Sequence, residues 1–261
     1  MLWPPSLYVA NRNILDCSAS NLHGDSLSST TVKQEKGLMS TVDSHIAVDG
    51  RPLTAESTRM MEYLHSRAQT LSAGEICERT RAAAGELESV VGLANETAVR
   101  RRPFPEKWHM ADVVDHISQT QIRGAEELRH LLAGRRPPGP PVYEALKSGA
   151  SEWAPWPTLV AGLHDANIEM IAILESASRD EDRLASVKPS GTLQTSVAPT
   201  VCTLMVANTK LPNDQLEAQL WFAELNWKEY ALLQRLHLLD HRTQMKKLIA
   251  ACTSGTVGVT G

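Results

Sequence analysis

The stretch Asn226 to Ile249, NWKEYALLQRLHLLDHRTQMKKLI, constrains this chain more than any other. Tyr230, Leu233, His237, His241, Met245 and Leu248 recur at three- or four-residue steps. That is the period of a helix burying one face. A helical turn takes 3.6 residues, so His237 and His241, four apart, leave the same side. Two imidazoles in an apolar stripe need partners there, and a shared metal ion is the sharpest one.

Three more long segments carry the same period. Ser72-Ala-Gly-Glu75 is a capping-box signature, and a helix from Ala73 to about Leu93 follows, with Ile76, Thr80, Ala83, Leu87, Val90 and Val91 inward. A helix from about Met110 to Ala133 places Val113, His116, Ile117, Thr120, Leu128, Leu131 and Leu132 on its stripe, stopped by Gly134 and the proline run to Pro141. Pro157 suits the first turn of a helix to about Ser178, with Leu159, Val160, Leu163, Asn167, Met170, Ile171 and Leu174 on one face. The last helix starts at Asn226, with Glu229 three residues on to complete its cap. Four such helices predict an all-α four-helix bundle.

Around that body the chain divides as follows. Residues 1–53, rich in Ser, Thr, Asn and Asp between Ser18 and Asp49, read as a disordered leader. A short helical extension occupies 54–71, with Met60, Met61, Leu64 and Ala68 on one face of a helix from about Ala55 to Gln69. The bundle spans 72–252, and 253–261 is a flexible tail. Between the last two long helices, Arg179 to Leu216 is a long irregular connection broken by Pro189, Gly191, Pro199 and Pro212. Val201 to Val206 reads as a short extended run within it, and a short helix is expected near Asp214 to Ala223.

The formal net charge of −4 predicts no broad attraction to nucleic acid. Arg100 to Arg102 form a single basic cluster, the usual composition of a solvated turn. Cys17, Cys77, Cys202 and Cys252 form no CxxC pair, which predicts a reduced, cytoplasmic protein. No apolar run reaches the roughly 18 residues of a membrane span, and the N-terminus lacks a secretory signal pattern.

His116 therefore joins His237 and His241 on inward stripes. If their helices are neighbours, the three form a metal face with an open position, suited to zinc, nickel or iron. The alternative is three histidines each hydrogen-bonded to a carbonyl or carboxylate. Periodicity alone leaves the two readings even.

Residues Trp108 to Ile117, WHMADVVDHI, and 221 to 244, WFAELNWKEYALLQRLHLLDHRTQ, resemble the second and last helices of the DinB-like (damage-inducible protein B) superfamily. The resemblance covers roughly Ser72 to Ala251. In that family one histidine of the second helix and two of the last bind a divalent metal, and His116, His237 and His241 take those places. The chain departs from the family at His109, where a small N-cap residue is usual, at Ala223-Glu224, which replaces a common glycine, and in its longer 179–216 connection. Dimerisation is common in the family, which makes a homodimer an expectation without an identified interface.

Other polar residues read as ordinary surface. His164 lacks a partner at ligand spacing. Asp115 and Asp240 precede ligands by one residue, which turns them toward solvent. Gln121, Gln234 and Gln244 read as wetted flanks, Trp153 and Trp156 as lining of the bundle mouth or, the commoner case for tryptophan, plain packing, and Cys77 and Cys252 as filler.

The resemblance implies two activities: transfer of a low-molecular-weight thiol such as bacillithiol or mycothiol to an electrophilic small molecule, and metal-dependent hydrolysis. The sequence names no general base. A non-catalytic stress-related binding module is the third reading.

Overall fold

The computed structural model describes residues 55–104, 107–135, 137–138, 146–181, 184, 200–210 and 216–253. The expected leader at 1–53 and the tail beyond Thr253 lie outside them. The described body is helical. Its long elements are α1 (Ala55–Thr70), α2 (Ala73–Val91), α3 (Met110–Leu132), α4 (Trp156–Arg179) and α5 (Trp227–Thr253). None of the described helices is long and apolar enough to cross a membrane.

Three of the helices, α2, α3 and α5, start where the sequence supplies a side-chain acceptor for the first free amides. Ser72 and Glu75 form the reciprocal box at α2. At α5 the Asn226 carboxamide oxygen accepts from Glu229 N, and the Glu229 carboxylate accepts from Asn226 N. At α3 the N-cap is His109, whose Nδ1 accepts from Asp112 N at 3.0 Å while Asp112 accepts from His109 N. A ring nitrogen thus does the work of a small hydroxyl or carboxylate, and the entry of α3 keeps the ordinary capped form. Pro157 lies in the first turn of α4. Gly134, at φ 66°, supplies the left-handed residue that ends α3.

Cross-helix contacts fix the directions. Glu88 and Arg81 of α2 meet His164 and Glu175 of α4, so these helices are antiparallel. Glu86 meets Arg242, and Leu71 meets Lys228, so α2 and α5 are parallel. Glu127 meets Tyr230 and His116 meets His237, so α3 and α5 are antiparallel. It follows that α3 and α4 run parallel. The chain leaving α3 must therefore travel back along the body before α4 can begin. Its last part, Leu146 to Ala154, lies against the first half of α3.

The connection before α5 departs from the all-helical expectation. Thr200–Lys210 (β1) and Leu216–Leu225 (β2) form an antiparallel hairpin with an irregularity between Val206 and Thr209. The extended run at Val201 to Val206 lies in β1. Of the short helix expected at Asp214 to Ala223, the described part, Leu216 onward, lies in β2 instead; Leu216, Ala218 and Leu220 alternate with Glu217 and Gln219 at the strand period of two.

The interior holds two apolar clusters. One joins α1 to Ile76, Leu128, Leu131, Leu174, Tyr230 and Leu232. The other joins Leu87, Val91, Val113, Ile117, Leu163, Leu238 and Met245. Between them the buried residues are polar: Thr80 on α2, Gln121 on α3, Asn167 on α4 and Gln234 on α5. Gly124 lies at this level because a Cβ there would meet the Gln234 amide and Met170 Cε at 3.0 Å.

Two glycines of the helices should therefore respond oppositely. Gly85 has nothing within 4 Å of an added Cβ, so Gly85→Ala should raise stability in urea by about 0.5–1 kcal/mol. Gly124→Ala should forfeit that gain and lower stability by about 1 kcal/mol, since the pinned Gln234 must move.

Candidate metal centre

His116 leaves the middle of the first half of α3, with His237 and His241 one turn apart on α5. Their ring nitrogens converge. His116 Nε2 lies 3.1 Å from His237 Nε2, and His241 Nε2 lies 2.9 Å from the same atom. The three ligand atoms all fall within 4.8 Å of one another. His116 and His241 are 9% and 5% exposed, and His237 Nδ1 is sealed from solvent.

The outer nitrogens decide what the inner ones can do. His116 Nδ1 donates to the Leu146 carbonyl at 2.9 Å, since a carbonyl can only accept. His241 Nδ1 donates to Gln244 Oε1 at 2.7 Å. Burial pushes all three imidazoles below their ordinary value of 6.5, His241 to about 3 and His237 far down, with neighbouring histidines adding to the effect at His237 and His241 and Lys147 at His116. They are neutral. His116 and His241 therefore each present a bare Nε2 lone pair to His237 Nε2.

An imidazole nitrogen has one in-plane site, which holds either a proton or a lone pair. His237 Nε2 can satisfy one neighbour with one N–H and leaves the other facing it lone pair to lone pair. No proton count supplies two linear hydrogen bonds here. A cation does: bonds of about 2.0–2.1 Å to each imidazole in a tetrahedral arrangement place the nitrogens about 3.3 Å apart, near the 3.1 and 2.9 Å that separate His237 Nε2 from its two neighbours. The residues thus fit a divalent ion that accepts nitrogen ligands.

The loop before α4 holds the His116 partner in place. Asp115, 2% exposed, accepts from Ser148 Oγ at 2.6 Å and from the Ser148 and Gly149 amides. Asp112 accepts from Ser151 Oγ at 2.9 Å and Lys147 Nζ at 3.2 Å. Burial raises the Asp112 carboxyl, but His109, Ser151 and Lys147 outweigh it and hold the group below the ordinary range. Arg100 binds the Ser151 and Ala154 carbonyls. Trp108 packs over the centre, its ring 4.9 Å from His116 and stacked 6.5 Å from His241, with Lys147 Nζ 5.1 Å above it.

A second group, His109, Asp112 and Glu152, has donors close enough for an ion. Arg102 at 3.4 Å and Lys147 at 3.2 Å already flank Asp112, and His109 Nδ1 is used in capping. Two fixed cations disfavour a third there.

Several polar residues lie elsewhere than expected. Asp115 and Asp240 are buried, not solvated, because the return loop and the helix neighbours cover that side. Gln121 and Gln234 are core residues, and Gln244 holds a histidine. The three-residue step from His241 to Gln244 was the available signal. The Leu146 carbonyl has no sequence signature. Trp156 is buried and Trp153 is 77% exposed, and the tryptophan that packs on the centre among the described residues is Trp108. His164 pairs with Glu88, away from the three histidines.

Two outcomes follow from this geometry. The buried imidazoles bind protons less readily folded than unfolded. Without metal, stability should be constant above about pH 6.5 and fall below it, by up to about 1.4 kcal/mol per pH unit for each histidine. Urea unfolding in chelator from pH 8 to 5 checks this, and His241→Ala should flatten the slope. Separately, Asp115→Ala leaves three loop donors without an acceptor and should cost about 1–3 kcal/mol in the same assay at pH 7.5.

No protein-family model, curated protein or solved structure matches this chain, so its own donor atoms carry the assignment of the centre.

Proposed function

We propose that this chain is a divalent-metal protein built on a DinB-like four-helix bundle, and that it transfers a low-molecular-weight thiol to electrophilic small molecules. His116, His237 and His241 are the metal ligands in this reading. The observation that carries it is the meeting of three neutral Nε2 atoms that no placement of protons can reconcile. Two pairs of parallel helices packed antiparallel, with a long crossover between α3 and α4, support the bundle assignment.

A divalent ion held by three neutral imidazoles keeps its full charge and lowers the pKa of a thiol, or of a water, that joins it. The chain's own groups favour the thiol. Among the described residues the ligand cluster holds three histidines and no carboxylate, and hydrolysis of an ester or amide calls for a group that passes a proton to the leaving group. Thiol transfer needs less: the thiol proton passes to water, and the sulfur pair forms the new bond to carbon. The bond from that carbon to a leaving group such as a halide breaks, the halide departing with its electron pair. Trp108 screens one side of the centre from solvent and offers a flat apolar wall.

Protein purified without a histidine tag should carry about one divalent ion per chain, measured by elemental analysis. His237→Ala with His241→Ala should remove nearly all of it. A chloro-dinitroarene or bimane electrophile should be consumed only when a small thiol is supplied. Ester turnover without thiol would favour the hydrolase reading. Metal content untouched by the double substitution would remove the centre altogether.

A further inference from the structure

Two of the three histidines have an outer hydrogen-bond partner and the third has none. His116 uses Leu146 and His241 uses Gln244. His237 Nδ1 is buried without a partner among the described residues. A metal-bound imidazole nearly always donates its other N–H, because that bond fixes the ring and raises its basicity. The donor on His237 therefore calls for an acceptor nearby.

We infer that Gln234 is that acceptor, and that Glu127, Tyr230 and Gln234 form a positioning relay for His237. The inference rests on the metal reading proposed above. Gln234 Oε1 is itself buried with no partner. It lies three residues before His237, on the same helix face. Helical side chains lean toward the N-terminus, so the His237 ring tilts over the turn that bears Gln234. His241 and Gln244, also three residues apart but with the glutamine on the C-terminal side, show that an imidazole Nδ1 on this helix can bond a glutamine at that spacing.

The rest of the relay is in place. Tyr230 OH donates to Glu127 Oε2 on α3. Its oxygen then accepts from Gln234 Nε2 at 2.9 Å. With Nε2 committed, the amide orientation is set and Oε1 is left as a pure acceptor. Arg123 Nε holds the other Glu127 oxygen at 2.8 Å. Gly124, on α3, leaves room for the Gln234 amide where any Cβ would press on it. A torsional change at His237, or one bridging water, closes the last link.

Gln121 is the competing acceptor. From the Gly124–Gln234 contact, three residues back along α3 and three forward along antiparallel α5 lead in the same direction by about 4.5 Å. This brings Gln121 to the level of His237, and both its amide atoms lack partners. It has no anchor that turns its oxygen toward α5, whereas Tyr230 anchors Gln234.

Zinc-loaded wild-type protein and zinc competition with a chelator test the relay. In the wild type, the His237 Nδ1–H proton should appear in nitrogen-resolved NMR and show contacts to the Gln234 side-chain amide. Gln234→Leu should weaken zinc binding about 10–100-fold and shift the His237 signal while leaving those of His116 and His241. Gln234→Glu, which keeps the acceptor, should bind within a few-fold of wild type. Contacts from His237 Nδ1–H to Gln121 alone would overturn the inference, and this needs no variant to fold. So would a Gln234→Leu protein with wild-type affinity and an unmoved His237 signal, which would leave the metal reading standing. A wild type that takes up no zinc would overturn both.

Discussion

Everything at this centre depends on keeping imidazoles neutral while their lone pairs face each other. Desolvation does the first part, since burial in a helical interior disfavours the charged ring. Outward hydrogen bonds do the second. The Leu146 carbonyl and the Gln244 amide oxygen each take up a proton-bearing Nδ1 and turn the bare Nε2 inward. An apolar pocket alone would let the rings rotate and pair as they pleased. The combination turns three unprotonated nitrogens toward one another, a set that could hold a metal ion.

The topology supplies the first of these partners. Parallel α3 and α4 oblige the chain to return along the body, and the returning segment brings a backbone carbonyl to His116. Two buried carboxylates on α3, Asp112 and Asp115, hold that segment by Ser148, Gly149 and Ser151. They sit one and four residues before His116 on the same helix. One stretch of α3 therefore presents the imidazole and also fixes the loop that orients it.

The helices and the three histidines were legible in sequence because both signals are periodic. The stripe of Ile76, Ala83, Leu87 and Val90 is buried as the spacing predicts, and so are Val113, His116 and Ile117. Capping chemistry located the starts of α2 and α5. The misreadings have a common source. Asp115, Asp240, Gln121 and Gln234 look like surface because polar side chains usually are, and a helical period cannot say that a loop or a third helix covers their side. The hairpin was missed at β2 because Leu216 to Leu225 carries leucines that suit either period. His109 looked foreign to a helix entry, yet an unprotonated ring nitrogen accepts an amide proton as a carboxylate would.

The division of the interior into two apolar clusters has a mechanical side. Hydrophobic burial binds each cluster into a unit, and Ile171 packs against both, beside the polar level between them. The two ends of the helices are thus separate apolar units joined through that level. His237 lies at that seam, and His116 and His241 lie just beyond it. Whatever draws α3 and α5 together at the histidines also ties one half of the molecule to the other. The three histidines then lie where a tie between α3 and α5 would join the two apolar halves of the molecule.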